Sequence, residues 1–167
     1  KELHGATHEV MPDRIEAGTY MMAAAITNGN LTIENVPMDA LMALMDVFEN
    51  VGVHVRPVEG KDSNPMSATV EVSSDRVLRP AQVTTQPHPG FPTDLQAQTM
   101  ALLTLAHGNS VITERIYQER FLHVAELSRM GAQLFRQGPT VVVSGVRELV
   151  GAPVMASDLR ASASLIL

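Results

Sequence analysis

The sequence predicts an α/β fold of the α+β type, in which a strand–helix–strand–helix–strand–strand unit occurs twice and begins a third time. Helical and extended apolar patterns follow one another in the same order in both halves of the chain. Three predicted helix starts also align, and each contains an aspartate, namely Asp13, Asp94 and Asp158. Repeated units of this kind bury their faces against each other, so we expect the 167 residues to form one domain.

Residues 1–79 form the first predicted unit. Asp13 is a good helix N-cap and Glu16 completes a capping box, while Asn28 and Gly29 end the same helix. The other elements follow from apolar patterns and turn residues: strands at 5–11, 31–36, 53–58 and 68–72, a second helix at 37–50 and a polar turn at 59–67.

Residues 80–150 repeat this order as the second unit, and residues 151–167 begin a third. The predicted elements are strands at 81–85 and 110–115, helices at 93–107 and 121–130, and a hairpin of strands at 133–136 and 140–144. The third unit reaches only the helix that starts at Asp158. Because the chain stops inside this helix on apolar residues and without a cap, we expect an incomplete domain from a longer protein.

The composition limits the possible functions. Hydrophobic residues make up 45% of the chain and aromatic residues 4%, so we expect a core of aliphatic and methionine side chains. The net charge of -6 disfavours a nucleic-acid partner. The lack of cysteine excludes thiolate metal sites and a cysteine nucleophile in this chain. No apolar run reaches the roughly 18–20 residues of a membrane span, and the first residues lack a signal-peptide pattern, so we expect a cytoplasmic protein without a membrane partner.

The segment QPHPGFPTDLQAQ, which begins at residue 86, is the stretch around which the chain is organised. Its prolines predict stiff, extended backbone at residues 88–89 and 91–92. Thr93 is a predicted N-cap, and the glutamine three residues later completes a capping box. Asp94 then lies in the first helical turn, where free N–H groups and the positive end of the helix dipole collect. Two interpretations stay open for Asp94: an ordinary helix-stabilising carboxylate, or a functional one that the rigid segment delivers.

Acidic helix starts and two arginines are the other candidates for chemistry. Equivalent helices could bring Asp13, Asp94 and Asp158 together at a pseudo-threefold centre. Arg120 and Arg160 are candidate anion contacts because a guanidinium binds phosphate or carboxylate in a forked geometry, with solvated surface side chains as the alternative. The chain has no Gly-rich phosphate loop, no nucleophile elbow and no histidine spacing typical of a metal site, so we predict neither metal nor cofactor.

Four segments resemble consecutive parts of the enolpyruvyl transferases, in particular those that act on UDP-N-acetylglucosamine: PDRIEAGTYMMAAAITNG, PHPGFPTDLQAQ, ITERIYQERFLHVAELSRMGA and MASDLRASASL. The resemblance covers nearly the whole chain in the same order. The FPTD-x-QAQ motif and the DLRAS run are its most specific parts. It implies a domain of three βαβαββ units around buried parallel helices, of which this chain is the larger part.

The resemblance also implies roles for individual residues. Asp94 matches the carboxylate that contacts the 3-hydroxyl of the sugar and is proposed as its general base. Arg120 matches an arginine that holds the anionic enolpyruvyl or phosphate portion, and Asp158 and Arg160 match a DLR motif near the reacting centre. Ile116 matches a backbone contact to the UDP-sugar. The resemblance also matches three binding residues just before Asp94, namely Thr93, Phe91 and His88. For His88, the residue patterns alone leave two roles open: a structural one, or the orientation of a substrate.

The implied reaction transfers the enolpyruvyl group of phosphoenolpyruvate to the 3-hydroxyl of UDP-N-acetylglucosamine and releases phosphate, the first committed step of peptidoglycan synthesis. In the family, the acid and the phosphoenolpyruvate ligands belong to another domain, so that domain is an expected partner and this chain alone is expected to lack turnover. Two alternatives stay open. One is a shikimate-3-phosphate enolpyruvyl transferase, and the other is a non-catalytic binding or assembly domain of the same fold.

Overall fold

The computed structural model describes residues 2–60, 64–75 and 77–167. The helices in these parts are α1 (Arg14–Ile26), α2 (Met42–Val51), α3 (Gln96–Leu103), α4 (Leu122–Arg129) and α5 (Leu159–Ile166), with short 3-10 helices at Met38–Ala40 and Thr93–Leu95. The strands are β1 (Leu31–Val36), β2 (Val53–Pro57), β3 (Ala68–Ser74), β4 (Gln82–Thr84), β5 (Asn109–Thr113), β6 (Gln133–Gln137) and β7 (Thr140–Ser144). None of these helices is long and apolar enough to cross a bilayer. The arrangement confirms the predicted α/β class.

The described strands form two sheets. The first has the order β1-β3-β2 and is antiparallel, and the second has the order β4-β5-β7-β6, in which only β4 and β5 are parallel. Val83, Ile112 and Val141 are register partners across the second sheet and are all buried, so they lie on the core. A parallel pair needs a crossover connection, and here α3 lies in that connection. The carboxyl ends of β4 and β5 therefore meet at one edge of the sheet.

Helix α3 lies at the centre of the core. All eight of its residues are buried, and it packs against α1 and α5. Gly18 permits the close approach of α1, because a Cβ at this position would lie 2.7 Å from the side chain of Leu95. A buried helix is stabilised chiefly by the apolar surface it removes from water. The start of α3, and with it the turn Thr93–Leu95, is thus held by the core on several sides.

Local capping signals predicted the starts of α1 and α5 correctly. The carboxylate of Asp13 accepts hydrogen bonds from the N–H groups of Ile15 at 2.7 Å and Glu16 at 3.3 Å. Asp158 caps α5 in the same way, with two N–H groups of the first turn. Gly52 follows α2 in the left-handed conformation, with φ of 97°, as expected of a helix C-cap. Each of these signals depends only on neighbours in sequence.

Several predicted elements differ from the structure. The strand expected at 5–11 is wrong: the segment is exposed and pairs with no described strand, and a strand needs a hydrogen-bonded neighbour. The helix expected at 37–50 is interrupted at Leu41, whose backbone φ of −117° leaves the helical region while its side chain is buried. The helix that was expected to run to residue 107 ends at Leu103. The predicted polar turn at 59–67 lies partly outside the described residues, at 61–63. The division into units at residues 79 and 150 stays a prediction.

Gly145 follows β7 and lies against the segment after α3, and we expect its replacement by alanine to destabilise the fold. A Cβ at this position would overlap the carbonyl oxygen of Ala106. The backbone is fixed there because the N–H of Gly145 donates to Gly108 at 2.9 Å. Overpacking of this kind costs about 1–3 kcal/mol. Urea unfolding of Gly145→Ala should show this loss, whereas Gly151→Ala, whose Cβ meets no atom within 4 Å, should unfold like the wild type. Equal midpoints for the two variants would contradict the expectation.

Candidate functional site

The Pro-rich segment begins the site with a closed turn at the carboxyl end of β4. The N–H of Gln86 donates to the carbonyl of Phe91 at 2.9 Å, and Thr85 forms a bridge with Phe91. The extended backbone predicted at His88-Pro89 is therefore wrong: these residues lie in the turn, and their peptide bond is cis. His88 is exposed and has no hydrogen bond or ion pair among the described residues. Phe91 is buried in the core, at 5% exposure.

Thr93 does not cap a helix, in contrast to the sequence prediction. Thr93 is the first residue of a 3-10 turn. The N-cap position of this turn is Pro92, and no side chain caps it with a hydrogen bond. The Thr93 hydroxyl instead donates to Oε2 of Glu114 at 2.9 Å. A charged acceptor forms a stronger hydrogen bond than a neutral one, so the buried carboxylate of Glu114 takes the hydroxyl away from the helix end. This hydrogen bond ties the start of the crossover helix to the end of β5.

Arg120 lies between two carboxylates that come from different elements. Its Nη1 lies 2.7 Å from Oδ1 of Asp94, and its Nε lies 3.4 Å from Oδ2 of Asp158. The Arg120 side chain is 22% exposed, against 42% for Asp94 and 27% for Asp158. Two of the three predicted acidic helix starts thus meet at one guanidinium. The third, Asp13, is exposed and caps its own helix, and it forms no ion pair with Arg120, so a cluster of all three stays a prediction.

The ion triad changes the pKa values of its members. Hydrogen bonds from the N–H of Ala161 and from Arg120 hold the pKa of Asp158 below its usual range, although partial burial opposes them. Burial acts to lower the pKa of Arg120, but the hydrogen bonds to Asp94 and Asp158 outweigh it, so the pKa lies above the ordinary arginine value. The triad is therefore a fixed cation between two acceptors, with one oxygen of Asp94, Oδ2, left without a partner among the described residues.

Two further predicted residues lie beside the triad. Arg160 follows Asp158 in the first turn of α5, and its N–H donates to Oδ1 of Asp158 at 2.8 Å. Its half-buried side chain has no partner among the described residues. Ile116 is half-buried, and its N–H donates to Oε1 of Glu114 at 2.8 Å. Its carbonyl oxygen has no partner in the described part of the chain.

The residue patterns did not single out Glu114, which connects most of these residues. It follows β5 directly and has no exposed surface. Its carboxylate accepts four hydrogen bonds, two of them from hydroxyls and two from backbone N–H groups. A signal for it was present, because a glutamate at the end of a buried strand has to be either exposed or fully paired. The sequence alone does not say which.

His123, in the first turn of α4, is a second buried titratable group, and we expect it to make stability depend on pH. It is 2% exposed, and burial lowers its pKa to about 4. The positive charge of Arg120 also lowers this pKa, whereas the negative charges of Asp158 and Glu114 oppose the shift. Because the unfolded chain binds a proton that the folded chain excludes, this contribution to stability is complete above the unfolded value of 6.5 and is lost as pH falls towards 4.

Between about pH 7 and pH 5 this group should lower the free energy of unfolding by about 2 kcal/mol. The substitution His123→Leu should remove that part of the pH dependence, which urea unfolding at both pH values would measure. The same slope in wild type and variant would contradict the expectation.

The triad reaches the surface chiefly through Asp94, whose side chain is 42% exposed. The described residues contain no group of three or more metal-ligating side chains. An open cavity of about 710 Å³ lies at the other end of α3, where Asn28, Asp75, His107 and Arg147 are among its lining residues, and no member of the triad lines it. The arrangement can bind an anion at a guanidinium and accept a proton at a carboxylate.

Curated proteins are similar in sequence to nearly the whole chain. A relative from Lawsonia intracellularis named UDP-N-acetylglucosamine 1-carboxyvinyltransferase is 50% identical over 165 residues, which are 99% of this chain and 38% of the relative. A relative of the same name from Geobacter metallireducens is 51% identical over 167 residues, which are 100% of this chain and 38% of the relative. The chain thus spans about two fifths of the length of these curated relatives.

Solved structures match the fold. The enolpyruvyl transferase NikO from Streptomyces tendae superposes with a TM-score of 0.78 and 25% identity, over 94% of this chain and 36% of that one. An EPSP synthase from Acinetobacter baumannii superposes with a TM-score of 0.61 and 15% identity, over 95% and 36%. The model of the family EPSP synthase (3-phosphoshikimate 1-carboxyvinyltransferase) matches residues 1–167. The chain therefore belongs to the enolpyruvyl transferase family that this model describes.

Proposed function

We propose that this chain forms one half of the substrate cleft of an enzyme that transfers the enolpyruvyl group of phosphoenolpyruvate to the 3-hydroxyl of UDP-N-acetylglucosamine and releases phosphate. The observation that carries the proposal is the ion triad, in which Arg120 lies 2.7 Å from Asp94 and 3.4 Å from Asp158. A transfer of this kind needs a base for an alcohol and fixed positive charge for two anionic groups. The relatives at 50–51% identity carry the name of this activity.

Asp94 is the proposed base. The hydroxyl oxygen of the sugar attacks C2 of phosphoenolpyruvate, its proton passes to Asp94, and C3 gains a proton from an acid outside this chain. In the second step C3 returns a proton to the group outside this chain, the bond from C2 to the phosphate oxygen breaks and the double bond forms again, and the leaving phosphate takes up the proton held by Asp94. Atoms and charges balance over the two steps. The unpartnered Oδ2 of Asp94 is the oxygen that is free to accept the hydroxyl proton.

Arg120 and Arg160 are the proposed anion contacts. Arg120 is bound to two carboxylates in this structure, so an incoming phosphate has to share its donors or displace one carboxylate. Arg160 has a side chain without a partner among the described residues and is free to turn to an anion. Asp158 positions both arginines, because it forms an ion pair with Arg120 and caps α5, the helix that carries Arg160. The carbonyl of Ile116 contacts the UDP-sugar, and Thr93, Phe91 and His88 support that pocket.

The proposal includes a partner domain that supplies the acid and the other wall of the cleft. The partial exposure of all three triad side chains supports this part, because a substrate site of this kind is usually concave and encloses most of its ligand. A place in peptidoglycan synthesis remains a prediction that follows from the resemblance, and a cytoplasmic location remains a prediction from the sequence pattern.

The shikimate-3-phosphate reaction is the nearest alternative. It is favoured by the name of the matching family model, but the solved EPSP synthase is only 15% identical to this chain, against 50% for the sugar-nucleotide relatives. Phosphate release by the complete enzyme should separate the alternatives, with phosphoenolpyruvate and either UDP-N-acetylglucosamine or shikimate 3-phosphate as substrates. We expect release with the sugar nucleotide only. Phosphate release with shikimate 3-phosphate would assign the enzyme to the shikimate-3-phosphate reaction instead. Substrate binding without phosphate release would indicate a non-catalytic module.

A further inference from the structure

Glu114 is a fully buried carboxylate on which three separate segments of the site meet. Its Oε1 accepts from the hydroxyl of Thr85 at 2.6 Å and from the N–H groups of Ile116 at 2.8 Å and Tyr117 at 3.0 Å. Its Oε2 accepts from the hydroxyl of Thr93 at 2.9 Å. All four partners are donors, which is the set that an ionised carboxylate accepts. The group is thus a paired buried charge and not an orphan.

The position of Glu114 follows from the parallel pairing of β4 and β5. Thr85 comes at the end of one strand and Glu114 at the end of the other, so the two lie side by side. The hydroxyl of Thr85 also accepts from the N–H of Arg115 at 2.8 Å, which closes the network on itself. Burying a carboxylate is costly, and an apolar side chain would stabilise a core at lower cost. The cost indicates that the site needs the geometry that Glu114 imposes.

We propose that Glu114 is a positioning residue for the transfer reaction. Through Thr93 it fixes the turn that carries Asp94, and through the N–H of Ile116 it fixes the loop that leads to Arg120. The turn and the loop also contact each other directly, because Nη1 of Arg120 lies 3.5 Å from the hydroxyl of Thr93. The catalytic consequence rests on the proposed function, whereas the hydrogen bonds do not depend on it.

The test is Glu114→Gln in the complete enzyme. Glutamine has the shape of glutamate, but one end of its amide donates. If its oxygen keeps the two backbone N–H groups, its nitrogen faces Thr93, whose hydroxyl loses its acceptor and has to turn. We expect kcat to fall about 10- to 100-fold and the KM of each substrate to change by less than about threefold, because misplaced reacting groups slow the chemical step more than they weaken binding.

Hydrogen exchange supplies a readout that needs no turnover. In Glu114→Gln the peptide 115–121 should exchange faster than in the wild type, while the peptide 68–74 in the other sheet should be unchanged. Ser110→Ala is the matched control on the same strand: its buried hydroxyl accepts from the N–H of Ala81 at 3.2 Å, far from the triad along β5. It should lower Tm but keep wild-type kcat and wild-type exchange at 115–121.

Two results would overturn the inference. One is a folded Glu114→Gln enzyme with wild-type kcat and wild-type exchange at 115–121. The other is a loss of kcat no larger than that of Ser110→Ala at equal loss of Tm, which would make Glu114 merely structural. A wild-type enzyme without turnover on either sugar nucleotide or shikimate 3-phosphate would refute the proposed function instead, and the exchange at 115–121 would still decide whether Glu114 fixes the loop.

Discussion

Asp94→Asn is expected to lower kcat of the complete enzyme by about 10²- to 10⁴-fold, the usual contribution of a general base. Asparagine keeps the shape of aspartate and can still accept a hydrogen bond from Arg120, which lies 2.7 Å from Oδ1 in the structure. It cannot take the hydroxyl proton of the sugar. The binding of UDP-N-acetylglucosamine, measured by calorimetry, should therefore weaken far less than turnover, measured by phosphate release.

Asp13→Asn is the control for this prediction. Asp13 is an aspartate at a helix start, like Asp94, but it is exposed, caps α1 and makes no ion pair with Arg120. Asparagine caps a helix about as well as aspartate, so the variant should keep both stability and kcat. An Asp94→Asn enzyme with kcat within about threefold of the wild type would remove Asp94 as the base.

Helix starts were predictable from the sequence because their chemistry is local. Asp13 and Asp158 cap α1 and α5 with hydrogen bonds to residues two and three positions later. Asp94 lies in a first turn as predicted, although that turn is a 3-10 turn and Thr93 does not cap it. The pairing of Arg120 with both Asp94 and Asp158 joins segments far apart in the sequence, and no local pattern predicted it.

The remaining features depend on contacts between distant segments. Thr93 matches the capping pattern, but a buried carboxylate twenty-one residues later takes its hydroxyl. Residues 5–11 have the composition of a strand and find no partner strand among the described residues. The turn at His88 forms because Thr85 and Phe91 pair across it. In each case a local pattern competes with a tertiary contact, and the tertiary contact decides.

Arg120→Met is the second substitution with a large expected effect. Removing the guanidinium of Arg120 leaves Asp94 and Asp158 close together without the cation between them. It also takes away the proposed contact to phosphate. We expect kcat/KM for phosphoenolpyruvate to fall by about 10²- to 10³-fold, as for the loss of one fixed group that stabilises developing charge. Steady-state phosphate release at varied phosphoenolpyruvate measures this directly.

Arg120→Lys separates charge from geometry. Lysine restores one positive charge but not the fork that reaches Asp94 through Nη1 and Asp158 through Nε, so it should recover only part of the lost kcat/KM. Arg129→Met is the control, because Arg129 is 61% exposed and its one ion pair within the described ranges is with Glu126, one turn away on α4. Full activity of Arg120→Lys would show that charge alone is required, and full activity of Arg120→Met would separate the triad from the reaction altogether.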